Sequence, residues 1–578
     1  MQKRWQPPAD SVELKDHASL TQALLRLRGI AEGDDEARFL APSWNEGIHD
    51  PSLFAQMPQA VERIYRAIEQ KERITVHGDY DADGVTGSAV LITALREIEN
   101  LVGAGSPSLI DAYIPHRDAE GYGLHPETVE ILRERGTSLI ITVDCGIACV
   151  DEIALAKERG IDTIVVDHHQ FGDELPAGIL IHPKLPGETY PFPHLAAVGV
   201  AWKLATALLN EGRKRGLAIP EGWEKWLLDF VSIATVTDMV SLTGENRVLE
   251  TYGLKVLNKT RRPGLQALIR LAGYELGTLT TESVGFGLGP RINAAGRMDR
   301  AMVALELMLA ESLEEAAMLA ERLEGLNRDR QKVTRRMMGE AETQFAQSEA
   351  ANVVILYSEE WSPSLVGLVA GKYVEKTGKP TIAIGRHGDR WVGSGRSTAS
   401  YDITEAVKRA GEGILTHAGG HVQACGFSFP VDASKETLFE RLRADAATRL
   451  SPEDLIPLLP IDAEIALSLI DWKFLDVLRL LEPYGEGNKR PAFLTRNAQI
   501  VSADRMGKEL HHVRLVLRSE SGPAMKFVGF NFGDRIDELQ VGTQVDVVYQ
   551  VGLNEWNGRR DIQCSLMDVR SAEELGKE

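Results

Sequence analysis

The chain has 578 residues, 43% of them hydrophobic and 26% charged, and a formal net charge of −20. That length exceeds what one core sustains, so about three or four domains are expected, and no stretch approaches the ~18 to 20 apolar residues of a membrane span. The charge excludes a uniformly basic surface that coats nucleic acid indiscriminately, while leaving room for a basic groove gathered around an acidic centre.

The start, Met1-Gln2-Lys3-Arg4-Trp5-Gln6-Pro7-Pro8, lacks the apolar segment of a secretory signal, so the cytoplasm is the expected compartment. Cys145, Cys149, Cys425 and Cys564 fit it: they are scattered, form no CxxC pair and read as small buried fillers. Residues 12–50 read as a helical, loop-rich lead-in with a turn at Ala41-Pro42-Ser43, and no chemistry is assigned to it. From residue 57, amphipathic helices at 57–71, 85–99, 126–136 and 149–159 alternate with β-rich runs at 73–77, 108–114, 138–144, 162–167 and 178–182. Such alternation predicts an α/β fold with a parallel sheet covered on both faces, whose ligands gather beyond the carboxyl ends of the strands.

Leu227 to Val236 reads as a buried helix leading into Asp238-Met239-Val240-Ser241. Residues 301–346 predict a long helix with one break. Over 352–450 a second α/β pattern restarts with 353–357, 381–384 and 426–429 as strands. After Pro457, β-rich segments at 498–502, 511–517, 524–530, 544–551 and 561–568, with a turn at Asn557-Gly558, predict a small barrel.

The chemistry concentrates in His77-Gly78-Asp79-Tyr80-Asp81-Ala82-Asp83-Gly84, three carboxylates on alternate positions just after the apolar run Ile74-Thr75-Val76. Anions this close repel unless cations or a dense set of donors neutralise them, and oxygen ligands favour a hard ion such as Mg²⁺ or Mn²⁺. An Asx-rich turn or helix cap is the bland alternative. A calcium loop is disfavoured, because the twelfth position counted from Asp79 is Val90 rather than Glu. Asp144, Asp167-His168-His169 and Asp238 end further apolar runs, and neutral imidazole beside carboxylate suits Mn²⁺ as well as zinc.

Asp79-Tyr80-Asp81-Ala82-Asp83-Gly84, Asp144 and Asp167-His168-His169 resemble the motifs of the DHH phosphoesterase superfamily. Gly289-Pro290-Arg291-Ile292-Asn293-Ala294-Ala295-Gly296-Arg297-Met298, Ala418-Gly419-Gly420-His421 with Gly426, and Leu481-Glu482-Pro483-Tyr484-Gly485-Glu486-Gly487-Asn488 are similar to the RecJ family of bacterial single-strand-specific exonucleases, over nearly the whole chain. The resemblance implies a lead-in (1–50), a DHH catalytic domain (51–300), a connecting helix (301–350), a DHHA1 domain (351–450) and an OB-fold-like nucleic-acid-binding barrel (456–573).

By that resemblance Asp83, Asp144, His168 and Asp238 hold one metal, while Asp81 and Asp144 hold the other with Asp79 or His77. Asp144 bridges them. His169 contacts the scissile phosphate or orients water. Ile114-Pro115-His116-Arg117 with Glu120 to Leu124 resembles the second motif and places Arg117 near the phosphates, with a surface-loop arginine as the alternative. Arg291 and Arg297 suit phosphate clamping, because a guanidinium forks two donors toward two oxygens. Gly395-Arg396-Ser397, preceded by Ser394, resembles the family's terminal-phosphate pocket, and the resemblance makes Ser394, Arg396 and His421 substrate-binding candidates. The chain departs from the pattern at Trp361-Ser362-Pro363-Ser364-Leu365-Val366-Gly367, where Trp-His and a glycine are usual, and at Cys425, where a second alanine is usual.

The implied activity is single-strand-specific exonuclease action on DNA from the 5′ end, releasing 5′-mononucleotides with two divalent ions, Mn²⁺ or Mg²⁺. A groove between the two α/β domains is expected to admit single strands and reject duplex by width. In the barrel, Lys508, His511, His512, Arg514 and Lys526 with Trp556 are candidate contacts to single-stranded DNA. The implied setting is recombination and repair, as a monomer working beside a RecQ-type helicase and a single-strand-binding protein. The competing readings are a small-substrate phosphodiesterase of the same superfamily and a catalytically silent DNA-binding scaffold.

Overall fold

In the computed structural model, which describes residues 3–8, 13–103, 108–348, 351–520, 522–556 and 559–572, the apolar runs after residue 57 form a five-stranded parallel sheet. Its spatial order is Ile110–Tyr113, Arg73–Gly78, Thr137–Val143, Asp162–Val166, Ile179–Ile181. The strands are apolar on both sides because both faces are covered. Ile74, Val76, Ile141 and Val166 pack into one core with the helices Ala82–Val102 and Ala197–Lys214. Ile140 and Val165 enter another with Pro126–Glu134 and Val150–Glu158.

The first strand of the sheet, Arg73–Gly78, lies between the second and the third, so the winding reverses there and opens a crevice beyond the strand ends. The hydrogen-bond ladder continues one residue into that crevice. Asp79 N–H donates to Val143 O (3.1 Å), Asp144 N–H to Val166 O (3.0 Å) and Asp167 N–H to Ile181 O (3.3 Å). Three adjacent strands thus each finish on an aspartate held at one level. Asp81 caps the 21-residue helix Ala82–Val102 by accepting from the N–H groups of Asp83 (2.8 Å) and Gly84 (3.3 Å). Position 84 must be glycine, since a Cβ there would sit 2.5 Å from the Asp79 backbone.

The run before Asp238 forms the buried helix Leu228–Thr237, with Asp238 as its C-cap. The long helix with one break is realised as Met302–Leu309 and the 36-residue Leu313–Ser348. It leads to a second five-stranded sheet, ordered His417–His421, Ala424–Pro430, Arg390–Arg396, Thr381–His387, Val354–Ser358. Arg390–Arg396 and His417–His421 go beyond the strands expected from apolar runs. Their glycines interrupt the alternation for a packing reason: a Cβ at Gly393 would lie 2.1 Å from the Phe427 ring. All of this, Ser43–Leu455, is one compact unit.

The second unit joins Met1–Pro42 to Ile456–Glu578. Its barrel runs Ala463–Glu464, Phe493–Met506, His512–Arg518, Met525–Gly529, Arg559–Ser571, Gln544–Trp556, and pairing of Phe493–Met506 with Gln544–Trp556 closes it. The lead-in is divided: its residues up to Pro42 belong to this unit and residues 43–50 to the other. Arg4–Gln6 pairs in parallel with Leu458–Pro460, and Leu20, Leu24, Leu25 and Phe39 enter the barrel's core. The helix His17–Leu27 buries its apolar face there, a partnership that local periodicity does not encode. Asn557 and Gly558 lie outside the described residues, as does the side chain of Trp556. Cys145, Cys425 and Cys564 are buried and Cys149 half-buried, all as free thiols.

Candidate active site

Among the described residues, ligand-capable atoms fall into three overlapping groups, the atoms of each lying within 4.8 Å of one another: Asp79, Asp81 and Asp144; Asp83, His168 and Asp238; Asp144, His168 and His169. Asp144 links the groups, its Oδ1 standing 3.4 Å from His168 Nε2 and 3.6 Å from His169 Nδ1. His168 Nε2 is also 3.8 Å from Asp83 Oδ2 and 3.6 Å from Asp238 Oδ2. Asp144 adopts a left-handed φ of 63°, unusual for a non-glycine residue and the kind of strain that collects at functional sites. Its carbonyl accepts from Tyr122 OH at 2.9 Å.

The charges are held under tension. Two like unit charges about 4 Å apart repel by roughly 4 kcal/mol at an effective dielectric near 20. Burial, then the charge of Asp81, pushes the Asp83 carboxyl up to about 7. Burial and neighbouring carboxylates likewise hold Asp79, Asp144 and Asp238 well above the usual range. His168, brought down to about 3 by burial and by His169 beside it, is a neutral imidazole ready to ligate. Asp79 Oδ1, Asp144 Oδ1 and His168 Nε2 are buried without a hydrogen-bond partner. Carboxylate oxygens with one imidazole, converging and unsatisfied, fit hard divalent cations.

His77 stands outside these groups. It is fully buried on the strand, its ring stacked on Tyr113 at 5.6 Å and its Nδ1 3.6 Å from Cys145 Sγ, and burial lowers its pKa to about 4. Its Nε2 also lacks a partner. Asp167 orients rather than joins. Its carboxylate accepts from the N–H groups of Ile147 (3.1 Å), His168 (2.7 Å) and His169 (3.1 Å) and bonds His169 Nδ1 at 2.8 Å. Burial opposes ionisation, but these bonds carry its pKa down to about 2. Burial also works against protonation of His169, yet Asp167, with Asp83 and Asp81 beyond it, raises that imidazole's pKa.

Facing the acids is a set of arginines without carboxylate partners among the described residues. Arg117 lies over the Tyr80 ring at 4.6 Å and is felt electrostatically by Asp79. Arg297 is half-buried, donates to Ser364 O at 2.7 Å, and is lowered to about 10 by desolvation and by Arg117, Arg330 and Arg396, against the pull of Asp81. Arg396 donates to Ser394 Oγ (2.7 Å) and Gly395 O (2.8 Å), and burial, followed by Arg117, lowers its pKa. Arg117 and Arg297 belong to the first sheet's half of the unit, Ser394 and Arg396 to the second.

Arg291 is otherwise engaged: its Nε donates to Glu324 Oε2 at 2.7 Å and its Nη1 to Gly287 O at 2.9 Å. His421 is exposed at the end of the edge strand, in register with Ala424, which is in register with Arg396. The departure at Ser364 is structural: Ser364 Oγ donates to Asp118 Oδ1 at 2.5 Å, joining the second half to the loop that carries Arg117. In the barrel, Lys508, His511, Arg514 and Lys526 are exposed and His512 half-buried. His511, Arg514 and Lys526 lie 3.3–3.5 Å from Glu509, Asp504 and Asp561.

Several groups escaped sequence reading. Ala197 and Val198 donate their N–H groups to Asp83, each at 2.8 Å. Asn293 Oδ1 accepts from Ala82 N–H at 2.7 Å, and Tyr122 OH lies 3.1 Å from His169 Nδ1. The Tyr122 and Asn293 side chains stand inside recognisable motifs, but their partners are distant in sequence.

Comparison with known proteins agrees with the geometry. The model of the DHH family, N-terminal domain, matches residues 73–235, that of the DHHA1 domain residues 350–448, and that of the RecJ OB domain residues 461–568. Fold and site together define a DHH phosphoesterase. The single-stranded-DNA-specific exonuclease RecJ of Bacillus subtilis (strain 168) is 37% identical over 96% of this chain and 68% of its own length. The crystal structure of RecJ from Thermus thermophilus in complex with Mn²⁺ superposes with a TM-score of 0.78 at 28% identity, covering 98% of this chain and 79% of that one. The corresponding Mg²⁺ complex gives 0.74 at 26%, covering 98% and 78%. The chain belongs to the RecJ family of single-stranded-DNA-specific exonucleases.

Proposed function

We propose that the chain hydrolyses single-stranded DNA from its 5′ end, releasing 5′-mononucleotides, with two divalent ions, Mn²⁺ or Mg²⁺, as cofactors. One observation carries this reading: unsatisfied acidic and imidazole groups share one unit with arginines from both of its halves that have no carboxylate partner among the described residues. Acids alone fit a metal store and arginines alone an anion site. Together they fit a phosphodiester held against cations.

Asp83, Asp144, His168 and Asp238 would hold one ion and Asp79, Asp81 and Asp144 the other. When bound, the ions lower the pKa of the attacking water and offset charge on the phosphate. Asp167 fixes the imidazole of His169 through Nδ1, which leaves Nε2 to donate toward a phosphate oxygen. Arg117 and Arg297 neutralise charge at the reacting phosphate, and Ser394 with Arg396 receive the terminal one. Arg291, held by Glu324, is assigned to fixing the long helix against Gly289–Met298.

No helix among the described residues is long and apolar enough to cross a membrane. Following the family resemblance, we place the protein in the cytoplasm, in recombination and repair, as a monomer acting beside a RecQ-type helicase and a single-strand-binding protein. Incubation with 5′- and 3′-labelled single strands in Mn²⁺ tests the reading. Early release of the 5′ label as mononucleotide is expected. Release of the 3′ label first, or turnover of dinucleotides alone, contradicts it.

A further inference from the structure

We propose that Phe286 is a base-stacking residue beside the metal centre, taking one unpaired nucleobase of the bound strand; this rests on the polynucleotide reading above. In Ser283-Val284-Gly285-Phe286-Gly287-Leu288, Val284 and Leu288 are fully buried. Phe286 between them is 83% exposed, the most exposed large hydrophobic side chain among the described residues. Burying a phenylalanine stabilises a fold, and here that gain is forgone. Ser283–Leu288 is a π-helical turn, a rare geometry that recurs at functional sites.

The turn is clamped on two sides. A Cβ on Gly287 would lie 2.2 Å from the Tyr274 ring, and Gly287 O accepts from Arg291 Nη1 at 2.9 Å. It also brackets the end of the helix that carries a metal-ligand candidate. A Cβ on Gly285 would lie 3.5 Å from Val236 Cγ1, and one on Gly289 would lie 2.3 Å from Thr237 Cγ2. The next residue is Asp238, followed by Met239, itself 67% exposed with a φ of 57°. Two exposed apolar side chains, Phe286 and Met239, therefore lie on segments that meet at the end of the helix capped by Asp238. A nucleotide presents an anion and a planar apolar ring, and every base has a π-face, so the contact is independent of sequence.

The test uses the full chain with Mn²⁺ and single-stranded oligodeoxynucleotides. Stacking on one aromatic predicts that Phe286→Ala raises KM by about five- to a hundredfold, with kcat nearly unchanged and the melting temperature preserved, and that Phe286→Trp restores KM. An unchanged KM in Phe286→Ala overturns the proposal. In the cleavage-deficient Asp144→Ala protein, oligonucleotides carrying 5-iododeoxyuridine at successive positions should crosslink on irradiation to the peptide that contains Phe286. Crosslinks only elsewhere, or a concentration-dependent dimer abolished by Phe286→Ala, overturn it as well. Failure of the wild-type protein to cleave single strands would instead sink the underlying functional reading.

Discussion

Asp144 Oδ1 lies 3.4 Å from His168 Nε2, and neither atom has a hydrogen-bond partner. Two buried, unsatisfied groups from adjacent strand ends are costly unless something binds both. The position of Asp144 follows from the sheet: Val143 ends the strand next to the winding reversal, and the left-handed φ turns the chain over the crevice.

Replacing that shared carboxylate separates chemistry from folding. Asp144→Asn should lower cleavage by on the order of a thousandfold or more, while affinity for single strands, which depends on the arginines, stays within a few-fold. Without metal the variant should melt a few degrees higher than wild type, because one source of carboxylate repulsion is gone. Calorimetry in EDTA and gel-shift titration check both, and wild-type turnover in the variant would refute the ligand role.

The raised carboxyls give a pH signature. In the unfolded chain these aspartates titrate near about 4, but folded Asp83 titrates near about 7, and Asp79, Asp144 and Asp238 well above the usual range. Between those values the folded state binds protons the unfolded state lacks, so stability falls as pH rises. This contribution is fully present below about pH 4 and is lost through pH 7 and beyond. Melting in EDTA should therefore drop from pH 5 to 8, and saturating Mn²⁺ should flatten the decline, since metal replaces protons. A melting temperature that climbs over this range in EDTA contradicts the assignment.

Arg297→Lys keeps the charge but loses the planar fork, and should reduce kcat/KM by roughly a hundredfold. Arg396→Ala should act mainly on KM and abolish any preference for 5′-phosphorylated over 5′-hydroxyl strands. Steady-state kinetics on both substrate forms distinguish the two. Equal discrimination in Arg396→Ala and wild type would remove the terminal-phosphate role.

Ser364 ties the Arg297 guanidinium, through its carbonyl, to Asp118, through its hydroxyl. Ser364→Ala removes a hydrogen bond to a carboxylate and should destabilise the protein by about 1–2 kcal/mol, with KM rising more than kcat falls. Urea denaturation and KM for a short strand provide the readouts. A variant equal to wild type in both would make the contact incidental.

The candidate acidic ligands were readable because each sits in a short motif at the end of an apolar run, and a parallel sheet brings the ends of its own strands together by topology alone. Asp79, Asp81, Asp83, Asp144 and His168 lie at such strand ends, whereas Asp238 caps the helix Leu228–Thr237 and its place beside them came from the family resemblance. What stayed hidden depends on partners distant in the chain. Glu324 engages Arg291, a residue whose motif suggested phosphate. Trp5 packs against the barrel because Arg4–Gln6 finds Leu458–Pro460, and no local pattern announces a strand of three residues. Arg390–Arg396 was obscured by glycines whose lack of a side chain admits Phe427 and Cys425 from the neighbouring strand.

Anomalous diffraction at the manganese edge, from crystals soaked in Mn²⁺, addresses the dinuclear centre directly. Two peaks are expected, one among Asp83, His168 and Asp238 and one among Asp79 and Asp81, both in contact with Asp144. No peak there, or a single peak that leaves Asp79 and Asp81 unliganded, would contradict it.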